Sequence, residues 1–401
     1  MQLFISPSKR DIKAVKTELE KRELFDKTTG VISHDGSMFV ATTVTEGGRE
    51  TSDGFVEITD PSINVSSECK YFVRERSPDQ KHPSITDDMP KRYTIYGSMA
   101  LFTAGSFAGW EKTKIQRALT EWLKDKPGVT HVAVNSPISK QQNVIRHPGI
   151  TRLVGDWGPY PADHPMLYDH PTSEDFHNAY WVTTTQNDIK QCWAPMYTMF
   201  SRGNIKEKAR VLNSPIFKSS SNSLVVDLYC GIGYFFLSYA QLKPRLILGW
   251  DINAWSIEGL RRGAQLAKLS LQVVKEGEKP DWSKVGPPGT THAIVFNESN
   301  EKAVERIEEL RRFNETTTME ALPLTHINMG LLPDCKQAWG TATSLAQSGV
   351  TTYHVHENVA MNEIEEFTRE RGKVFGKHLH TEMVKTFAPG VGHIVWDFIS
   401  T

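Results

Sequence analysis

Asp227, Gly231, Gly233 and Asp251 are the residues whose types and spacing point most directly to chemistry. Asp227 follows the apolar run Leu224-Val225-Val226, and the two glycines lie in the turn that comes next. Glycine enters left-handed backbone conformations freely and lets a ligand approach without a Cβ in the way. Asp251 follows Leu246-Ile247-Leu248-Gly249-Trp250, about twenty residues beyond the glycines. A carboxylate so placed, at the end of a second strand, is positioned to hold an adenosine ribose by its two hydroxyls.

The same pattern narrows the ligand. A dinucleotide fingerprint uses a third glycine for close helix packing beside the pyrophosphate, and Phe236 occupies that slot here. A nicotinamide dehydrogenase is therefore disfavoured. An acid ahead of a shortened Gly-x-Gly suits S-adenosylmethionine, which has no phosphate to cradle, and that is the expected cofactor.

The elements that must position these residues follow from local pattern. Residues 224–226 and 246–250 read as buried parallel strands, and 234–241 as the helix between them. Downstream, 255–269 reads as a helix, 272–274 and 291–296 as strands, and 301–312 as a helix. Strands over 324–328 and 352–358, a charged helix over 363–375 and a hairpin built from 382–387 and 393–399 complete the chain. A parallel α/β sheet closed by an antiparallel hairpin predicts a class I methyltransferase-like (Rossmann-like) fold. Ligands of such sheets lie beyond the carboxyl ends of the strands. That edge gathers Asp227, Gly231, Gly233, Asp251, Asn297, Glu298 and the run Asn328-Met-Gly-Leu-Leu-Pro333.

Ahead of this sheet the chain divides into smaller α/β pieces. Ile12, Val15 and Leu19 mark one face of a helix, and 38–44 reads as a strand. Residues 47–90 are polar and proline-rich, and read as a partly flexible connection. Residues 1–90 are accordingly an N-terminal appendage with a linker. Residues 91–195 are an intermediate α/β domain, with a helix over 111–125 and a hairpin turning at Asn187-Asp188. Residues 196–401 are the catalytic domain.

Composition sets outer limits. The 401 residues carry 46 Lys and Arg against 47 Asp and Glu, a net charge of -1, which excludes a protein coated in basic residues. Local basic surface is still present: between Arg202 and Lys218 five basic residues meet one acid. A solvated amphipathic helix accounts for such a run equally well, but this one directly precedes the first strand of the sheet. Lys140, Arg146, Arg152, Arg202, Lys206 and Arg210 form the expected phosphate-tracking face. Cys69, Cys192, Cys230 and Cys335 are widely spaced, so neither a disulfide framework nor a zinc site is expected. No apolar run approaches the roughly 20 residues of a membrane span, and no secretory signal is evident. A cytoplasmic location is expected.

Five runs carry a family resemblance. They are Met-Phe-Ser-Arg-Gly-Asn-Ile-Lys-Glu-Lys from Met199, Asp-Leu-Tyr-Cys-Gly-Ile-Gly-Tyr-Phe from Asp227, and Gly-Trp-Asp-Ile-Asn-Ala-Trp-Ser-Ile-Glu-Gly-Leu-Arg-Arg-Gly from Gly249. Asn-Met-Gly-Leu-Leu-Pro from Asn328 and His-Val-His-Glu-Asn from His354 are the other two. From about Arg92 onward the chain resembles the fungal tRNA wybutosine-synthesising protein two family, close to the tRNA guanine-N1 methyltransferases.

The resemblance implies transfer of the 3-amino-3-carboxypropyl group of S-adenosylmethionine to C7 of 4-demethylwyosine, beside the anticodon of tRNA-Phe. It implies cofactor contacts from Ser201 and Lys208 and ribose contact from Asp251, with Asn297 and Glu298 on the adenine side. The family commonly has Glu in place of Asp251 and Arg in place of Lys208; relatives often carry Asp-Asn at 297–298. Asn328, His326 and His356 are the catalytic candidates, with Asp334 and Glu357 as further proton acceptors, and no general base is chosen among them. Two other classes compete. A guanine-N1 methyltransferase would release S-adenosylhomocysteine rather than methylthioadenosine. A non-catalytic RNA-binding module would not bind the cofactor, and the intact Asp227, Gly231, Gly233 and Asp251 speak against it.

Overall fold

The computed structural model describes residues 2–6, 12–27, 30–34, 37–43, 48–50, 56–58, 70–74, 85–136, 148–161, 164, 166–218, 221–317, 320–346 and 349–400. The chain forms two compact units, Met1–Asp88 and Met89–Thr401.

In the first unit β1 (Gln2–Ser6) is followed by α1 (Ile12–Lys21), β2 (Val31–His34), β3 (Ser37–Ala41), β4 (Gly48–Glu50), β5 (Val56–Ile58) and β6 (Lys70–Arg74). The sheet order is β2-β3-β1-β6, and β4 pairs with β5. Helix α1 buries Val15 and Leu19, two of the three residues that the sequence periodicity marks. The connection expected over 47–90 is corrected in part, because β6 within it pairs antiparallel with β1. Its Tyr71-Phe72-Val73 core is a continuous β-prone triplet between Lys70 and Arg74, too short to show alternation.

The second unit opens with β7 (Tyr93–Tyr96), β8 (Met99–Phe102), α2 (Lys112–Lys124), β9 (His131–Ser136) and β10 (Gly149–Val154), in the sheet order β10-β9-β8-β7. Short helices α3 (Met166–Asp169) and α4 (Ser173–Asn178) lead to the hairpin β11 (Val182–Gln186) and β12 (Ile189–Trp193). Asn187 and Asp188 have φ of 50° and 61°, the paired left-handed conformations that a two-residue hairpin turn demands.

The main sheet follows. Its elements are α5 (Ile205–Asn213), β13 (Leu224–Asp227), α6 (Phe236–Gln241), β14 (Leu246–Trp250), α7 (Ala254–Leu266), β15 (Ser270–Lys275), β16 (His292–Asn297) and α8 (Ala303–Thr317). They continue with β17 (Leu324–Met329), α9 (Trp339–Leu345), β18 (Thr352–Ala360), α10 (Ile364–Phe375), β19 (Lys377–Ala388) and β20 (Val391–Ile399). The order is β15-β16-β14-β13-β17-β18-β20-β19. Strands β13 to β18 pair in parallel, and β20 inserts antiparallel between β18 and β19, which is the expected fold.

Both faces of this sheet are covered, so its strands are apolar throughout: all five residues of β14 are buried. Burying each large aliphatic or aromatic side chain contributes about 1.5–3 kcal/mol, which is why the strand ends are firm platforms for polar groups. Residues 91–195 and 196–401, separate segments in the sequence reading, share a core: Trp193, Ala194 and Tyr197 cluster with Ile232 and Trp255. The Tyr197 and Trp255 rings stack at 3.5 Å, and Trp255 Nε1 donates to Leu167 O at 2.6 Å.

Candidate active site

The two loop glycines serve different purposes. Gly231 and Gly233 both have positive φ, 52° and 89°. A Cβ on Gly233 would come within 2.9 Å of Leu237 Cγ and 3.3 Å of Leu260 Cγ, so this glycine seats the loop on α6 and α7. A Cβ on Gly231 would face the Tyr234 ring at 3.2 Å and Asp251 Oδ2 at 3.9 Å. The Gly231 N–H donates to Asp251 Oδ2 at 3.0 Å, and the Asn253 N–H to Oδ1 at 2.8 Å. Asn297 Nδ2 donates to the carbonyls of Asp251 and Ile252 at 3.0 and 3.1 Å. Asp251 thus joins the first two strand ends, Asn297 joins the third, and the carboxylate stays half-buried and reachable.

A polar row crosses the sheet beside this loop. Asp227, Asn328, His354 and Asp397 are register partners on β13, β17, β18 and β20. Asn328 Nδ2 donates to Asp227 Oδ1 at 2.9 Å, while Asp227 Oδ2 is buried with no hydrogen-bond partner among the described residues. Burial pushes the Asp227 carboxyl up to about 7, against the opposing bonds from Asn328 and from the Tyr229 and Phe236 backbone N–H groups. At the far end His354 Nδ1 lies 2.6 Å from Asp397 Oδ1, and Arg210 holds Asp397 and Glu207 together. Burial alone would raise Asp397, but His354 and Arg210 outweigh it and hold the carboxyl well below its usual range.

Lys208 is the most unusual charge in the site. It is 2% exposed, and its Nζ donates to Gln186 Oε1 at 2.8 Å and Gln191 Oε1 at 2.6 Å. The rings of Phe200 and Tyr234 lie 5.2 Å from the ammonium. Among the described residues no carboxylate pairs with it. Burial brings its pKa down to about 7, because two neutral acceptors do not replace bulk water around an ammonium. Ser201 stands just before α5; its N–H donates to the Tyr234 hydroxyl, which donates to Met199 O.

Several expected residues take other places. Both carboxylate oxygens of Glu298 bind Arg306, at 2.7 and 3.0 Å, so Glu298 anchors α8 instead of offering a free acceptor. His326 Nδ1 lies 3.1 Å from His354 Nε2, and His356 Nδ1 lies 3.2 Å from His393 Nε2. All four rings are buried, and burial lowers their pKa values, His326 and His393 to about 3. His326 and His356, two of the catalytic candidates, thus lie in buried ring pairs where burial disfavours the charged form. Glu357 is likewise held by Arg371 at 2.6 Å, while Asp334 Oδ1 accepts from the Lys336 N–H at 3.2 Å.

The basic set separates in the same way. Lys140 and Arg146 lie outside the described residues. Arg152 is exposed on β10 with its guanidinium 3.7 Å from the Tyr160 ring centre, and Arg202 is exposed and donates to Thr94 Oγ1 at 3.1 Å. Lys206 reaches Glu382 on β19 at 2.5 Å and keeps most of its side chain in solvent. Arg210 takes another place: its side chain is only 9% exposed and its guanidinium is taken up by Glu207 and Asp397, which speaks against a phosphate contact. Lys385, which no motif marked, places Nζ 3.5 Å from Ser201 Oγ, and a Cβ on Gly203 would touch its side chain. Gln186 and Gln191 were missed as well, since a glutamine on a strand carries no sequence signal.

Among the described residues no group of His, Cys, Asp and Glu is arranged to hold a metal, and no helix is long and apolar enough to cross a membrane.

Comparison with known proteins bears on this site. The family described as the TRM5/TYW2 methyltransferase domain matches residues 186–319, from Gln186 through the glycine loop to α8. The Schizosaccharomyces pombe tRNA wybutosine-synthesizing protein 2 is 36% identical over 336 residues, covering 79% of this chain and 75% of that protein. The Saccharomyces cerevisiae protein of the same name is 29% identical, covering 98% of this chain and 96% of its own length. Among solved structures, the complex of aTrm5 with tRNALeu aligns over the full length of both chains at 16% identity and a TM-score of 0.51. A transferase-like protein from Pyrococcus horikoshii aligns over 78% of this chain and 92% of its own at 19% identity and a TM-score of 0.50. These two likenesses establish the class I methyltransferase fold.

Proposed function

The chain belongs to the tRNA wybutosine-synthesizing protein 2 family, and from that premise we propose that it modifies tRNA with S-adenosylmethionine. The reaction in this reading moves the 3-amino-3-carboxypropyl group to C7 of 4-demethylwyosine, next to the anticodon of tRNA-Phe, and releases methylthioadenosine.

The observation that carries the reading is the pairing of opposite deficits beside the glycine loop. Lys208 is a buried ammonium with no carboxylate partner among the described residues, and Asp227 Oδ2 is a buried acceptor with no hydrogen-bond partner among them. An α-amino acid end, carrying one carboxylate and one ammonium, answers both. Leaving either buried group unsatisfied costs about 1–3 kcal/mol, so a ligand that completes them gains on both sides. The residues therefore fit S-adenosylmethionine, with Asp251 and the Gly231 loop toward the ribose and Lys208 and Asp227 toward the amino acid arm.

When bound, S-adenosylmethionine supplies a sulfonium bearing three electrophilic carbons and a neutral thioether leaving group. Which carbon reacts depends on which one is held in line with the nucleophile. Lys208, itself held by Gln186 and Gln191, would hold the carboxylate of the amino acid arm. Asn328 stands at the edge of the site with its amide locked to Asp227, so its orientation is set before substrate arrives. The buried histidines are poor candidates for proton transfer: burial lowers the pKa of His326 and His393 to about 3 and also lowers those of His354 and His356, and the rings are paired with one another.

The test is the small product. Incubation with S-adenosylmethionine and tRNA carrying 4-demethylwyosine, followed by chromatography, should yield methylthioadenosine. S-adenosylhomocysteine would instead assign methyl transfer.

A further inference from the structure

We propose that the tip of the terminal β19–β20 hairpin contacts RNA, with the Phe387 ring serving as a stacking platform for a nucleobase flanking the target. The inference rests on the tRNA reading above and adds a residue and a contact type to it.

Position comes first. Strand β18 ends at Ala360, whose register partner on β20 is Val391, and the Met361 N–H donates to Gly390 O at 2.9 Å. The hairpin tip therefore lies on the carboxyl edge of the parallel strands, the edge that carries Asp227, Asp251 and Asn297. Phe387 is 62% exposed, whereas every other Phe, Tyr and Trp among the described side chains of the second unit is buried or half-buried. Single exposed hydrophobics are ordinary on protein surfaces. An aromatic one at the rim of the site is not accounted for by packing.

Local geometry supports a purpose. Thr386 pairs with Gly392 and Ala388 with Val391, which leaves Phe387 as the extra residue of a β-bulge. Bulges re-aim a side chain and recur beside binding sites. The surroundings are cationic: Lys385 sits two residues back along β19 beside Ser201, and Lys206 is held against the same strand by Glu382 and Met383 O. Arg202 lies on the turn leading into α5. An aromatic face among cations that track a backbone is how single-stranded RNA is bound, since stacking serves any base while the cations serve its phosphates. The charges distinguish this occupant from an apolar protein surface.

The test uses the full chain and a tRNA-Phe anticodon stem-loop carrying the target base, either intact or abasic at each flanking position. Phe387→Ala should weaken binding of the intact stem-loop about ten-fold, and Phe387→Trp should hold it. Removing the stacked base should weaken wild type by a similar factor and leave Phe387→Ala unchanged, the coupling expected of direct contact. The salt dependence of Phe387→Ala should match wild type, because no charge is lost. S-adenosylmethionine titration by calorimetry serves as the folding control. Equal affinity of wild type and Phe387→Ala, or rescue by Phe387→Leu as full as by Phe387→Trp, would overturn the stacking inference alone. Failure of wild type to bind the stem-loop would overturn the tRNA reading, and this inference with it.

Discussion

Asn328 Nδ2 donates to Asp227 Oδ1 at 2.9 Å, and this bond ties the strand that carries the glycine loop to the strand that carries Met-Gly-Leu-Leu-Pro. One oxygen of Asp227 thereby orients a neighbour, while the other has no hydrogen-bond partner among the described residues and in the proposed function meets the cofactor. Substituting Asp227→Asn keeps an oxygen for Asn328 but replaces Oδ2 by a donor. We expect affinity for S-adenosylmethionine to fall about ten- to hundred-fold, in line with a lost charge-assisted bond of about 1.5–3 kcal/mol. The folded pKa of about 7 lies above the ordinary 3.8, so the native state holds this proton more tightly than the unfolded chain. Its contribution to stability is therefore lost as pH rises from about 4 through 7. Thermal denaturation at pH 8 should show Asp227→Asn at least as stable as wild type.

Lys208 gives the protein a pH signature. Its native pKa of about 7 lies below the ordinary 10.5, so burying the charged form opposes folding fully below 7, and that penalty is relieved between about 7 and 10.5. A bound carboxylate stabilises the ammonium and raises this pKa. Calorimetric titration of S-adenosylmethionine at pH 8, in buffers of different ionisation enthalpy, should show net proton uptake. Lys208→Met should abolish that uptake and weaken binding while leaving the protein folded.

Arg210 and its neighbours Arg202 and Lys206 should separate cleanly. Arg210→Met leaves Glu207 and Asp397 buried without their cation and should destabilise the protein by about 3–5 kcal/mol in chemical denaturation. Arg202→Ala and Lys206→Ala should leave stability nearly unchanged. Each of those two should reduce the slope of log affinity for tRNA against log salt by about one.

Glu298 and Asp251 differ in the same sense. Glu298→Gln breaks a buried bidentate pair with Arg306, so the melting temperature should drop while the cofactor dissociation constant stays within about three-fold of wild type. Asp251→Ala removes the carboxylate that meets the Gly231 and Asn253 N–H groups and should raise that constant well over ten-fold. Paired melting and binding measurements distinguish the two.

What the sequence disclosed depended on whether a residue's task was local. Asp227, Gly231, Gly233 and Asp251 were legible because strand, turn and strand follow one another, and their spacing alone places them at one edge. The parallel strands were legible because burial on both faces leaves them almost wholly apolar, as β14 shows. Short strands such as β6 and β10 were not, since five or six residues among polar neighbours show no periodicity. Arg210 was misread for a different reason. A basic residue in a charged helix looks solvated until Asp397, 187 residues later, arrives beside it. Lys385 and the His326–His354 pair are also products of tertiary proximity, which spacing along the chain does not encode.

The most direct measurement follows label from the cofactor into tRNA. S-adenosylmethionine is supplied in two forms, labelled either on the methyl group or on the carboxyl carbon, together with tRNA carrying 4-demethylwyosine. The expected result is carboxyl label in the tRNA and no methyl label. Methyl label in the tRNA without carboxyl label would contradict aminocarboxypropyl transfer.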